Sequence, residues 1–163
     1  MAKEGNGRKL EGMIAIITGA ANGCGRAAVL EFLREGATVV GADKDETSGL
    51  ALSNELPAGS FKFIAADVSR ASDVRHIVDT TLSSYGRIDI LLNQAGDIRV
   101  MPLLQASEED FDFMVNNNVR SVFLMTQAVL PSMLKVGKGV IVTTSSVSSS
   151  TATPMEALYC SSK

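Results

Sequence analysis

The sequence predicts an α/β fold, a doubly wound parallel sheet, on three observations. Five compact apolar runs alternate with helical patterns along the chain. Their hydrophobicity is continuous rather than alternating, as in strands covered on both faces. A glycine-rich turn joins the first run to the first helix, at the end of the strands where this architecture places its ligands. At 163 residues, with no linker and no internal repeat, the chain 1–163 reads as a single domain with room for a core.

The first strand is "MIAIIT" (13 to 18). The helix after it, in "GRAAVLEFLREG", places Ala28, either Val29 or Leu30, Phe32 and Leu33 on one side, and Gly36 stops it. "ATVVGA" (37 to 42), "FKFIAA" (61 to 66), "IDILLN" (88 to 93) and "GVIVTT" (139 to 144) supply the other strands. "SDVRHIVDTTLSSYG" carries a stripe of Val74, Ile77, Val78, Leu82 and Tyr85 between an opening Ser72 and a closing Gly86. His76 falls off that stripe and reads as a solvated helix residue rather than a base or ligand. A long helix is expected from Ser107 to about Lys135, opening on the capping sequence "SEED". Along it Phe111, Met114 or Val115, Asn118, Val122, Thr126, Val129 and Met133 recur at helical spacing. Phe113, Leu124 and Ala128 give that helix a second apolar side, and a subunit interface is the expected use.

A chain that is 45% hydrophobic and 20% charged folds in water, without the low hydrophobicity of disorder or an apolar run of membrane-spanning length. A net charge of -3 and the lack of a Lys/Arg cluster argue against nucleic acid or anionic lipid as partners. Cys24 and Cys160 stand near opposite ends without metal-ligand spacing, which fits a reducing, cytoplasmic compartment and no metal. Lys3, Arg8 and Lys9 ahead of "GMIAIITGAA" have the outline of a signal peptide. Glu4 and Glu11 interrupt that basic region and the apolar stretch from Met13 to Ile17 is short, so no signal peptide is expected.

In "TGAANGCG" the glycines Gly19, Gly23 and Gly25 are spaced G-x3-G-x-G. Glycine lets the backbone turn tightly and lets a pyrophosphate approach the amides of the helix N-terminus, so a dinucleotide is the natural guest. The spacing is neither G-x-G-x-x-G nor a P-loop, and such a turn also serves geometry alone. Asp43, closing the second strand, can accept hydrogen bonds from an adenosine ribose and would repel a 2′-phosphate, which favours NAD over NADP despite Lys44 beside it. Asp67 closes the third strand, and "NQAG" (93 to 96) closes the fourth with residues small enough for a flat ligand. The serine-rich "TTSSVSSSTATP" (143 to 154) follows the fifth strand directly, which makes it a ligand-end segment rather than a linker.

The ordered series "TGAANGCG", "DV" at 67 and 68, "NQAG", Ser146 and "YCSSK" resembles the short-chain dehydrogenase/reductase family, in its shorter, single-domain oxidoreductase branch. The resemblance runs from about Arg8 to the last residue and implies a Rossmann-type sheet with strand order 3-2-1-4-5. Cys24 departs from the family's usual aliphatic residue and Gln94 from its usual Asn. By the resemblance Gly19, Asn22, Gly23 and Cys24 would contact the cofactor phosphates and adjacent ribose. Asp43 would take the adenosine ribose, Asp67 and Val68 the adenine, and Asn93, Ala95 and Gly96 the central part of the dinucleotide.

The same resemblance implies a catalytic set of Asn118, Ser146, Tyr159 and Lys163. Asn118, a polar amide in an apolar stripe, needs partners and would hold a water that relays protons toward Lys163. Ser146 would donate to the substrate oxygen and Tyr159 would be the general acid or base. A free tyrosine titrates near pH ~10, so a phenolate working near neutrality needs a positive neighbour. Lys163, one helical turn on, would supply it, helped by the oxidised nicotinamide, while holding the nicotinamide ribose.

The expected function is NAD(H)-dependent interconversion of a secondary alcohol and a ketone; a non-catalytic dinucleotide-binding sensor or structural subunit is the alternative. Members of the family continue beyond the position of Lys163, so the 163-residue chain is expected to be a fragment with little turnover. "GVIVTT" would then be an exposed sheet edge, and the complete form is expected to be a homo-oligomer.

Overall fold

A computed structural model describes residues 8–163, so Lys3 and Glu4 of the basic stretch lie outside the described residues. Five strands, β1 (Ile14–Thr18), β2 (Thr38–Asp43), β3 (Phe61–Ala65), β4 (Ile90–Asn93) and β5 (Val140–Thr143), pair in parallel in the order β3-β2-β1-β4-β5. The helices are α1 (Gly23–Arg34), α2 (Glu46–Glu55), α3 (Ala71–Tyr85), α4 (Glu108–Val115), α5 (Ser121–Val136) and α6 (Ala157–Ser162).

Alternation of side chains along each strand feeds two cores. Ile16, Val40, Ile64 and Leu91 face α3 and α5, meeting Val74, Ile77, Val78, Met125, Val129 and Met133. Ala15, Ile17, Val39 and Leu92 face the other way, toward Val29 of α1 and Leu52 of α2. Between the two alternatives in α1, Val29 is the buried one and Leu30 is exposed. At the N-terminal end of the strands the buried Asp89 accepts from the Ile14 N–H at 2.8 Å and from Arg87 Nε at 2.9 Å, tying β1 to the segment that enters β4.

Three expectations change: the α3 cap, the buried stripe of the long helix and its outward side. The turn that enters α3 has Arg70, not Ser72, at its N-cap; Ser72 lies in the first turn and donates to Asp73. The long helix runs without a break from Glu108 to Val136, as expected, with a π turn (Asn116–Arg120) joining α4 to α5. The buried stripe along it is Met114, Asn118, Ser121, Met125, Val129 and Met133, leaving Val122 and Thr126 half-buried and Phe111 exposed. Leu124 and Ala128 pack on the core, and the outward apolar side consists instead of Phe111, Val119, Phe123, Leu130 and Leu134. In β5, Val140 and Val142 are exposed, as expected of the sheet edge that strand forms.

Among the described residues no helix is long and apolar enough to cross a membrane.

Candidate active site

The chain runs outward from β1 to β2 and β3 on one side and to β4 and β5 on the other. This reversal opens a crevice beyond the C-terminal strand ends, between β1 and β4. A cavity of about 510 Å³ lies there, lined by the glycine turn, the β2 end, Ala66 to Val68 after β3, and Gln94 to Gly96 after β4.

The turn itself depends on contact between two glycines. Gly19 adopts φ 67°, and a Cβ on Gly25 would overlap the Gly19 carbonyl, so α1 starts hard against β1 with its amides facing the crevice. Asp43 reaches back to this turn, accepting from the Ala21 N–H at 3.0 Å and from the Asp45 N–H at 3.0 Å. Asp45 caps α2 through Ser48 and accepts from Asn22 Nδ2 at 2.9 Å. Hydrogen bonds from Ser48 and then Asn22 hold the Asp45 carboxyl below its ordinary value. Asp67 is seated in the same manner: its N–H donates to Asp73 at 3.0 Å, and its own Oδ1 accepts from Ser69.

Of the residues expected to meet a dinucleotide, Gly19, Asn22, Gly23, Cys24, Asp43, Asp67, Val68, Ala95 and Gly96 all line this cavity. Asn93 does not: it is 3% exposed, and its amide points inward to Thr126 and Thr143 at 3.4 Å each. Several lining residues had drawn no assignment from the sequence, among them Lys44, Asp45 and Asn117. Thr18 was also missed. Its hydroxyl oxygen, buried at the end of β1, accepts from the N–H groups of both Gln94 and Ala95. A polar residue closing an otherwise apolar strand was the available signal. Gln94 ties the other side of the crevice, its Oε1 accepting from Thr144 Oγ1 at 2.7 Å.

The expected catalytic residues gather beyond β4 and β5. Asn118 holds the main chain of Asp97 from both sides, accepting from its N–H at 2.8 Å and donating to its carbonyl at 2.9 Å. Its second amide hydrogen goes to Ser162 Oγ at 2.8 Å. Lys163 donates to the Thr144 carbonyl at 2.9 Å, capping the end of β5. A Cβ on Gly96 would meet Asn118 Oδ1 at 3.1 Å and Lys163 Nζ at 3.3 Å, so both groups converge where the cavity ends. Ser146 begins a short 3-10 turn (Val147–Ser149), accepting from the Ser148 N–H, and that turn packs against α6, which carries Tyr159. Among the described residues no hydrogen bond joins Ser146 to Tyr159 or Tyr159 to Lys163.

Known proteins share this arrangement. A family model described as short chain dehydrogenase matches residues 13–163. A 3-oxoacyl-[acyl-carrier-protein] reductase of Thermotoga maritima is 38% identical over 95% of this chain and 64% of its own length. A D-threitol dehydrogenase of Mycolicibacterium smegmatis is 36% identical over 95% of this chain and 60% of its own. The crystal structure of a 7α-hydroxysteroid dehydrogenase, complexed with NADH and 7-oxo glycochenodeoxycholic acid, superposes with a TM-score of 0.89 at 32% identity, over 94% of this chain and 60% of that one. The chain thus spans about 60 to 64% of the length of these curated relatives. With the family's sheet order, its glycine turn and its sequence along nearly the whole length, the chain belongs to the short-chain dehydrogenase family of oxidoreductases.

Proposed function

We propose that the complete protein interconverts a secondary alcohol and a ketone with NAD(H). The observation that carries this reading is the convergence at Gly96: the crevice lined by the glycine turn, Asp43 and Asp67 ends where Lys163 Nζ and Asn118 Oδ1 meet. The names of the relatives support the reaction class, since a 3-oxoacyl reductase, a threitol dehydrogenase and a hydroxysteroid dehydrogenase all work at a carbinol or its ketone.

The crevice fits a nicotinamide dinucleotide, because the Gly19–Gly25 contact leaves the start of α1 open to phosphate and the carboxylates sit where ribose hydroxyls need acceptors. When bound, the cofactor supplies the hydride donor or acceptor. Gly19, Asn22, Gly23 and Cys24 hold its phosphate end and Asp43 its adenosine ribose. Asp67 and Val68 border the adenine, and Ala95 and Gly96 the central part. Asn93 acts from beneath, locking the β4 end to Thr126 and Thr143. Asp43 favours NAD over NADP by charge.

In the chemical step Tyr159 moves the proton of the substrate oxygen, Ser146 donates to that oxygen, and Lys163 holds the nicotinamide ribose. Both amide hydrogens of Asn118 are already committed, so a relay water would bind its carbonyl oxygens, beside the π turn. The outward apolar side of α4 and α5 supports a homo-oligomer of the complete protein.

The test is Tyr159→Phe in the complete protein, assayed on a panel of secondary alcohols with NAD+. The variant should lose about 10²–10⁴ in kcat/KM while NADH affinity holds. Equal turnover in the variant would remove Tyr159 from the mechanism, and NADH binding without turnover of any alcohol by the unmodified protein would make it a binder instead.

A further inference from the structure

We propose that Asp97 is a second determinant of cofactor choice: it holds the Lys44 ammonium away from the site of a 2′-phosphate and thereby favours NAD over NADP. The proposal rests on the reading of the crevice as a dinucleotide site.

Among the described residues, the charges lining the crevice are three carboxylates, Asp43, Asp45 and Asp67, and one cation, Lys44. Lys44 directly follows Asp43, the residue assigned to the adenosine ribose, and lines the same cavity, so its side chain is long enough to reach a 2′-phosphate bound there. A free ammonium there would attract that phosphate and oppose the effect of Asp43.

The ammonium is engaged elsewhere. It lies 3.2 Å from Asp97 Oδ2 and 5.8 Å from the centre of the Phe113 ring, over which Arg99 also stacks. Lys44 leaves the end of β2 and Asp97 follows β4, so the pair reaches across the end of β1, the strand between them. Asp43 has other partners, both of them main-chain N–H groups, and among the described residues it forms no salt bridge. Its charge therefore stays uncompensated by its neighbour.

Asp97 is well placed to hold this position. Asn118 fixes its main chain on both sides, and its Oδ1 accepts from the Ile98 N–H at 2.9 Å, which directs Oδ2 toward Lys44. An amide at position 97 could keep the Ile98 bond while losing the charge that retains the ammonium. Once that carboxylate is gone, the Lys44 ammonium is available to a doubly charged phosphate.

The test is calorimetric titration of the protein with NAD+ and with NADP+, without substrate. Asp97→Asn should move the affinity ratio toward NADP+ by about tenfold, and adding Lys44→Ala should cancel the gain. Lys44→Ala alone should leave the ratio within about twofold, because that charge is already neutralised. A ratio unmoved by Asp97→Asn overturns the proposal. So does a tenfold loss of NADP+ affinity in Lys44→Ala alone, a result that decides the matter even if Asp97→Asn does not fold. An unmodified protein that binds neither dinucleotide overturns the dinucleotide reading itself, whereas NAD+ binding with a silent Asp97→Asn overturns only the role of Asp97.

Discussion

The Thr18 hydroxyl oxygen accepts the main-chain N–H of Ala95 at 3.0 Å, and the same oxygen takes the N–H of Gln94 at 3.1 Å. One side chain thus locks the ends of β1 and β4 to each other at the floor of the crevice. Thr18→Val keeps the shape and removes the acceptor, leaving the Ala95 N–H without a partner and the Gln94 N–H with only the Leu92 carbonyl. Stability should fall by about 1–3 kcal/mol in urea unfolding, with weaker NADH binding, and Thr18→Ser should restore both. A valine variant as stable as the parent would show that these amides do not depend on the hydroxyl.

Asp89 offers a contrast at the opposite end of the strands. Its buried carboxylate serves the Ile14 N–H and Arg87 Nε, far from any residue assigned to the ligand. Asp89→Ala should cost about 2–3 kcal/mol of stability. NADH affinity measured on the folded fraction should change little, and a selective loss of binding with intact stability would contradict this division of labour.

Acid sensitivity should reach the adenine side of the crevice through Asp73. The Asp67 N–H, and then the Ser72 hydroxyl, hold the Asp73 carboxyl below the ordinary aspartate value of 3.8. The folded state therefore gains stability from the carboxylate above that value and loses it as the pH falls through the lowered folded pKa. Asp73→Asn should be less stable than the parent at pH 7, with the gap closing below about pH 3.8. Parallel urea titrations at neutral and acid pH check this, and a gap of constant size would mean that the charge of Asp73 is not what seats Asp67.

Much of the fold was legible because the signals are local. Continuous apolar runs place all five strands to within two residues, and Gly86 closes α3 in the left-handed conformation as its position predicts. Where reading failed, a competing local option won. At α3 the chain turns two residues before the serine that looked like the cap, and Ser72 hydrogen-bonds Asp73 instead. The π turn at Asn116–Arg120 has no periodic signature, since one extra residue in a turn leaves both flanking patterns intact and alters only their phase. Beyond it Ser121 and Met125 are buried where Val122 and Thr126 were expected.

The candidate site divides along the same line. Its residue types were recognisable singly at the strand ends, because glycines, carboxylates and short amides are rare where a buried strand should continue in apolar residues. Their partners were not. Thr18 with Ala95, Lys44 with Asp97 and Asn118 with Asp97 are bonds between segments distant in sequence.

By itself the sequence determined the α/β alternation, the glycine turn and the list of polar residues facing the ligand end, since each follows from spacing within a few residues. Only the tertiary structure decided which of those groups meet: that Asn93 turns inward, that Lys44 pairs with Asp97 rather than Asp43, and that Lys163 and Asn118 converge on Gly96. The physical reason is that a hydrogen bond or ion pair acts over about 3 Å, and which side chains come that close is set by strand order and helix packing across the whole chain.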